Sequence, residues 1–274
     1  MFEVIFLSVL AILWIIFAVI QDLKKREVPN WLNFSLIIFA LGFRFFYSLF
    51  SGENFSFFFQ GLIGFGIFLV LGNLFYYARM FAGGDAKLLI SLGAVLPFSD
   101  KFMVNLEFFL LFFVLFFFAG AVYSIGASIF LTVKNYGKFK KEIRNQAKKN
   151  KILLYAVMFF GLALMSIGFS EKIFFFIGIL VFLLPYFYVY VKAVDESCMV
   201  KKIRTAELRE GDWLYRNVRV GRRIIKARWE GLSKEEIRLI RKKYRQIVIR
   251  QGVPFAPVFL ITFLIYVSLW KSFG

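Results

Sequence analysis

Residues 83–98 read Gly-Gly-Asp-Ala-Lys-Leu-Leu-Ile-Ser-Leu-Gly-Ala-Val-Leu-Pro-Phe, and how this stretch meets a bilayer decides the architecture. Its apolar part, 88–98, is 11 residues long, whereas about 20 helical residues are needed to cross a hydrocarbon core of roughly 30 Å. Length alone suits a re-entrant segment as well as a span. The neighbouring apolar runs are longer and predict membrane helices over 2–20, 31–50, 57–81, 106–133, 152–168, 173–192 and 254–270. Charge then separates the two readings. With a fourth crossing over 86–95 and the amino terminus outside, four polar regions face the cytoplasm. These are 21–30, the residues flanking Asp85, 134–151 and 192–252, and together they hold 31 of the 35 Lys and Arg. Without that crossing the eight basic residues of 134–151 would face outside, against the excess of positive charge that cytoplasmic loops carry. The sequence therefore predicts eight crossings with both termini outside.

Composition supports this class. The 274 residues are 60% hydrophobic and include 40 Phe, and the runs lack the alternation of a membrane barrel. The expected fold is all-α, a polytopic helix bundle of about eight transmembrane helices with a small cytoplasmic polar segment. A transmembrane bundle over 1–192, a basic segment over 193–252 and a last membrane helix within 253–274 follow from the same pattern. The first run has no basic region before it and no small-residue cleavage site after it, so it reads as a retained helix. A net charge of +18 is concentrated in the cytoplasmic segments, where it orients helices and attracts anionic lipid headgroups. Lipid is the expected contact, and nucleic acid is not.

Histidine is absent and Cys198 is the single cysteine. That excludes Ser-His and Cys-His nucleophile pairs, disulfide frameworks and multi-cysteine zinc modules. Within 193–252, Gly211-Asp212-Trp213 reads as a turn. Ser233-Lys-Glu-Glu236 reads as a capping box, followed by Ile237, Ile240, Tyr244 and Ile247 at helical spacing. Such a helix is expected to lie on the membrane surface or to dock on the bundle.

Counting crossings to each acid isolates one pair. Asp22 follows the first span and Asp85 precedes the fourth, so both fall at the cytoplasmic boundary; Glu3, Glu53, Asp100, Glu107 and Glu171 fall at the other face. Two neighbouring carboxyls in a low-dielectric site share a proton, since both cannot ionise cheaply. The ionised one can take a proton from water while the protonated one polarises a peptide carbonyl. This is aspartic-protease chemistry, and it calls for no metal and no cofactor. Gly83 and Gly84 are expected to free the backbone for positive φ and to let a substrate strand approach. On the residues alone a second reading stays open: Asp85 caps the fourth helix, and Asp22 marks the lipid boundary beside Lys24, Lys25 and Arg26.

Asp22-Leu-Lys-Lys-Arg-Glu-Val-Pro29-Asn30-Trp31-Leu32 resembles the first catalytic segment of type IV prepilin peptidases. Gly83-Gly84-Asp85-Ala86-Lys87-Leu88 resembles their second. These enzymes are GxGD membrane aspartic proteases, related in chemistry to signal peptide peptidase and presenilin. Later stretches, 231–237 and 252–257, are similar to the carboxy-terminal part of archaeal members, which process archaellin or adhesion-pilin precursors. The resemblance implies that Asp22 and Asp85 are the catalytic pair, with Gly83, Gly84, Pro29, Asn30 and Lys87 shaping the site. It implies pilin-like or archaellin precursors as substrates, cut at the cytoplasmic face of the cell membrane. The first glycine of GxGD falls on Ala82. The loop 21–30 is too short for the cysteine-rich domain of bifunctional bacterial members, so cleavage without N-methylation is expected.

Competing functions are an intramembrane protease of the signal-peptide-peptidase kind, an ion-coupled transporter using the same acids, and a non-catalytic scaffold. Four other features carry structural expectations. Arg44, inside a span, should snorkel or pair with Glu53 or Glu107. Gly120, Ser124 and Ser128 should form a close helix contact, and Asn73 should bond a neighbouring helix. Lys87 should anchor at the headgroups, and it is also placed to favour ionised Asp85.

Overall fold

The computed structural model describes residues 2–51, 55–168 and 171–273. Ten α-helices run in order among them: α1 (Phe2–Lys25), α2 (Asn30–Phe50), α3 (Ser56–Tyr77), α4 (Gly83–Gly93), α5 (Phe102–Lys134), α6 (Tyr136–Lys149), α7 (Lys151–Ile167), α8 (Lys172–Val194), α9 (Lys234–Lys243) and α10 (Ala256–Phe273). Four short strands lie between α8 and α9: β1 (Val200–Arg204), β2 (Trp213–Leu214), β3 (Val218–Val220) and β4 (Arg223–Ile225). A fifth, β5 (Gln246–Arg250), precedes α10. α1, α2, α3, α5 and the helical run Lys172–Met199 are each long and apolar enough to cross a membrane, whereas α4, α7 and α10 are shorter. Five of the eight expected spans are thus helices of spanning length, a sixth is reached if α6 and α7 count together, and α4 and α10 are apolar but short; the molecule is a polytopic helix bundle.

The chain divides into two compact units, residues 1–124 with 253–274 and residues 125–252. In the first, α1 presents Leu7, Ala11, Ile15, Ala18 and Asp22 on one buried stripe, the spacing of a helix with a single inward face. α1 packs on α2 and α10, while Phe68, Phe112, Phe116, Phe259 and Phe263 fill the interior. Many other phenylalanines are exposed on the helix surfaces, where lipid would cover them.

α4 is the element that length left ambiguous. Its 11 residues extend only about 16 Å at 1.5 Å per residue, half of a bilayer core. The stretch nevertheless runs back along the whole of α3. A methyl on Gly72 would lie 2.5 Å from Ile90 Cγ1, and one on Gly64 would lie 2.5 Å from the Gly93 carbonyl oxygen. The Ser56 hydroxyl at the start of α3 donates to the Asp100 carbonyl at 2.8 Å. This stretch is therefore half helix and half irregular chain, and residues 94–98 are buried throughout. Irregular backbone at membrane depth persists only where protein satisfies its polar groups.

Arg44 supplies that satisfaction. It was expected to snorkel or to meet a carboxylate, but its side chain is 0% exposed. Nε donates to Ala94 O at 2.9 Å, and Nη2 donates to Val95 O at 3.0 Å and to Pro97 O; Nη1 donates to Phe57 O at 2.9 Å. The guanidinium also stands over the Phe57 ring. Glu107 is exposed on α5, and Glu53 lies outside the described residues. The reason is geometric. Carbonyls beyond a helix end have no intrahelical donor, a rigid five-donor fork meets several at once, and a cation suits the negative end of the helix dipole. Tyr266 of α10 completes the set by donating to Leu96 O at 2.9 Å.

In the second unit α7 and α8 form an antiparallel hairpin, with Gly161 and Gly178 where the backbones approach. The stretch 134–151, expected as a loop, contains the basic helix α6, which meets α7 at a 75° bend. Ser128 and Tyr190 hydroxyls lie 2.6 Å apart, and Cys198 is buried beside Phe139, Ala193 and Val194. The polar segment is more ordered than its charge suggested. Strands pair in the order β1-β5-β2, with β3 on β4. The Ser233–Glu236 capping box forms as expected, and Gly211 takes φ 88 in its turn. However, α9 ends at Lys243. Ile237 and Ile240 pack on Leu208, Leu214, Ile225, Leu232, Ile247 and Ile249, so the apolar face is buried in the segment's own core and not on a membrane. Ile247 belongs to β5, where Ile247 and Ile249 are buried between exposed Gln246 and Val248, the alternation of a strand.

Arg44→Leu leaves the buried carbonyls of Ala94, Val95 and Pro97 without their donor and is expected to destabilise the protein by at least about 2 kcal/mol. Arg44→Lys, with one ammonium in place of a fork, recovers only part of that. Gly64→Ala, driven into the Gly93 carbonyl, costs about 1–3 kcal/mol. Thermal unfolding in detergent reads all three.

Candidate active site

Asp22 does not sit in a loop. α1 continues five residues past Ile20, with Lys24 and Lys25 in its last turn, where cations suit the helix dipole. Asp22 is thereby placed on the buried stripe, 7% exposed. Its Oδ2 accepts from the Ala256 amide at 2.9 Å, and the Phe255 amide also faces it. Ala256 is the first residue of α10, whose leading amides have no intrahelical partner. Asp22 thus serves as the cap of a helix 234 residues further along the chain. Tyr123 of α5 closes the same corner by donating to the Pro254 carbonyl at 2.9 Å, within electrostatic range of Asp22 and Arg26.

Asp85 is the third residue of α4 and not its N-cap. Ala82 occupies the cap with φ −68 and ψ 158 and no side-chain cap, and its amide faces the Asp85 carboxylate. Asp22 and Asp85 lie within electrostatic reach of one another. Two further contacts bind the segments that carry them. Val28 Cβ stands 3.4 Å from where a methyl on Gly84 would be, and Lys87 Nζ donates to Asn30 Oδ1 at 2.7 Å. Lys87 therefore ties the first turn of α4 to the first residue of α2, with Pro29 as the N-cap of α2. The pair, both glycines, Pro29, Asn30 and Lys87 all gather at one end of the first unit.

The glycines do not act through positive φ. Those of positive φ are Gly211, Gly221 and Gly231, among the described residues; Gly83 and Gly84 begin α4 with ordinary helical backbone. A methyl at Gly83 would find its nearest neighbour, Tyr76 Cε2, at 3.7 Å, so neither position is closed by packing. Ala82 has a φ that any residue adopts, so the departure from GxGD costs no backbone strain. The left-handed positions near the site are held by arginines, Arg26 (φ 53) and Arg79 (φ 61). At Arg79 the amides of Arg79 and Met80 bond back to Tyr76 O and Phe75 O, a Schellman closure of α3 that usually employs glycine.

Sequence reasoning missed two groups here, the amides of 255–256 and Tyr123, and a buried polar side chain elsewhere in the first unit, Asn33. Asn33 of α2 is 3% exposed, and neither of its polar atoms has a hydrogen-bond partner among the described residues. A polar side chain inside an apolar span was the available signal. Asn73, expected to bond a neighbouring helix, instead donates to Leu69 O of its own helix at 2.7 Å.

Ala256→Pro removes the amide that Asp22 accepts from while keeping a residue suited to the first helical position. It is expected to lower stability by about 1–3 kcal/mol. Gly84→Ala should unfold at or above the wild-type temperature, because alanine is the better helix former by about 1 kcal/mol and has room. Paired thermal melts check both.

Residues 9–125 match the model of a family described as the type IV leader peptidase family. The match takes in both acids and ends beside Ser124, where the first segment of the first unit ends. The preflagellin peptidase of Methanococcus voltae is 29% identical over 160 residues, which is 56% of this chain and 64% of that protein. Its namesake in Methanococcus maripaludis is 32% identical over 89 residues, 32% of this chain and 38% of that one. The preflagellin peptidase of Methanocaldococcus jannaschii is 34% identical over 83 residues, 30% of this chain and 35% of that one. The chain thus spans less than two thirds of the length of each of these relatives. No solved structure matches it. Residues 9–125, the segment that carries both aspartates, are thus similar to the type IV leader peptidase family.

Proposed function

We propose that the protein is a membrane aspartic endopeptidase that removes short basic leaders from pilin-like or archaellin precursors at the cytoplasmic face. The observation that carries this reading is the convergence of Asp22 from the last turn of α1 and Asp85 from the first turn of α4 at one end of the first unit. The family match and the preflagellin peptidases support the substrate class.

One carboxylate of the pair takes a proton from a water molecule, whose oxygen adds to the scissile carbonyl carbon. The other carboxyl gives its proton to the carbonyl oxygen. The tetrahedral intermediate then collapses: the C–N bond breaks, the nitrogen leaves with a proton, and a carboxylic acid and an amine result. Hydrogen bonds from the start of α10 hold Asp22 in place for this chemistry. The absent side chain at Gly83, where a methyl would find no neighbour nearer than 3.7 Å, leaves room near Asp85 for an extended substrate backbone. A basic leader with a hydrophobic helix behind it suits a site at the polar end of a membrane bundle.

Co-expression with a panel of pilin and archaellin precursors tests the reading by the size shift of the product. Wild type is expected to cleave, and Asp22→Asn and Asp85→Asn are each expected to reduce cleavage by at least 1,000-fold at unchanged protein level. Cleavage surviving either change sinks the dyad. Gly83→Ala should fold normally yet cleave at least tenfold more slowly, because its methyl occupies the substrate's space. No methyl group should pass from S-adenosylmethionine to the new amino terminus; labelled product would overturn that part.

A further inference from the structure

We infer that Asn33 is a substrate-binding residue of this site, and that its carboxamide holds the substrate main chain beside the scissile peptide; the inference rests on the leader-peptidase reading. Asn33 lies in the interior of the first unit, 3% exposed, with both Nδ2 and Oδ1 unpartnered among the described residues. The other buried side-chain groups without a hydrogen-bond partner among the described residues are single atoms: hydroxyls of Ser8, Ser48, Thr132 and Thr262, and Arg250 Nε, which is ion-paired with Asp195 Oδ1 at 3.3 Å. A hydroxyl on a helix can turn back to the carbonyl four residues earlier. A carboxamide presents a donor group and an acceptor together, and at Asn33 both are left open.

Its direction and depth follow from the helix geometry. Asn33 and Arg44 are eleven residues apart on α2, about three turns, so they share one face within roughly 20°. Arg44 on that face binds the carbonyls that follow α4, and α2 packs on α4. Asn33 therefore faces α4. It lies about 16 Å along α2 from the Arg44 pin, and Asp85 lies about 14 Å along α4 from Ala94, in the same direction. The two side chains stand within one helical turn of the same depth.

Peptide cleavage in this setting needs that chemistry. A scissile carbonyl is accessible only once the substrate backbone leaves the helix, and each N–H and C=O so released is costly in an apolar surrounding. A carboxamide matches such a backbone, with Nδ2 donating to a carbonyl oxygen and Oδ1 accepting from an amide. Because it reads the main chain, the contact is indifferent to the substrate's side chains.

The test is Asn33→Leu, close in shape and without polar atoms, assayed for precursor cleavage with kcat and KM and for thermal unfolding in detergent. The expected result is an unfolding temperature at or above wild type, since an unpartnered buried amide is gone, with kcat/KM reduced at least tenfold by a similar factor for every precursor cleaved. Wild-type cleavage by Asn33→Leu overturns the inference, as does a parallel loss of stability and activity, which marks a structural residue. If that variant does not accumulate, Asn33→Thr is judged by the same two readouts. Failure of wild type to cleave any precursor ends the leader-peptidase reading and this inference with it. Loss of cleavage in Asp22→Asn and Asp85→Asn but not in Asn33→Leu ends the inference alone.

Discussion

The interaction on which the first unit depends is the set of hydrogen bonds from Arg44 to the carbonyls of Phe57, Ala94, Val95 and Pro97. A crossing built from an 11-residue helix leaves a stretch of open backbone inside an apolar interior, and such backbone is tolerated only with full satisfaction. One guanidinium, fully buried, meets that demand together with the Tyr266 hydroxyl. With the far end of α4 held in this way, its first turn falls beside the loop after α1. Asp85 thus reaches the neighbourhood of Asp22 because an arginine some 14 Å away along the helix keeps the broken span in register with α3.

The proposed site is composite. Asp22 comes from the last turn of α1 and Asp85 from the first turn of α4, and the amides that hold Asp22 come from the start of α10. Helix ends suit this work. Their unpaired amides and carbonyls seek partners, and their dipoles favour one sign of charge. Capping α10 with Asp22 couples the carboxylate's position to the docking of a helix distant in sequence. Loops 26–29 and 79–82 each begin at or after an arginine in left-handed backbone, strain that persists where surrounding structure over-determines it.

The second unit shows how far charge misleads about order. The segment 193–252 holds half of the chain's basic residues, yet it folds around a small core of eight buried apolar side chains on α9 and its strands. Its basic residues partly serve that fold. Arg228 pairs with Glu236 of the capping box, and Arg241 donates to the carbonyls of Thr205, Ala206 and Leu208.

Membrane class, the places of the apolar helices, the capping box and the nearness of Asp22 to Asp85 were legible in the sequence. Each is written in local pattern: hydrophobic run length, the bias of Lys and Arg between loops, and cap spacing. What the sequence left open depended on groups far apart in the chain. The partners of Arg44 are the carbonyls of four residues whose positions exist only once α2, α3 and α4 are packed. Backbone carbonyls carry no residue-type signal to read. The amides that bind Asp22 are equally anonymous. The start of β5 was read as a continuation of α9 because Ile247 follows Tyr244 by three residues, a helical spacing. The sequence by itself determined which segments are apolar enough to enter a membrane and which carboxylates can meet, because hydrophobicity and charge are properties of each residue. Only the tertiary structure decided how a half-length helix completes a crossing and what holds Asp22, because those answers lie in hydrogen bonds between backbone groups that every residue shares.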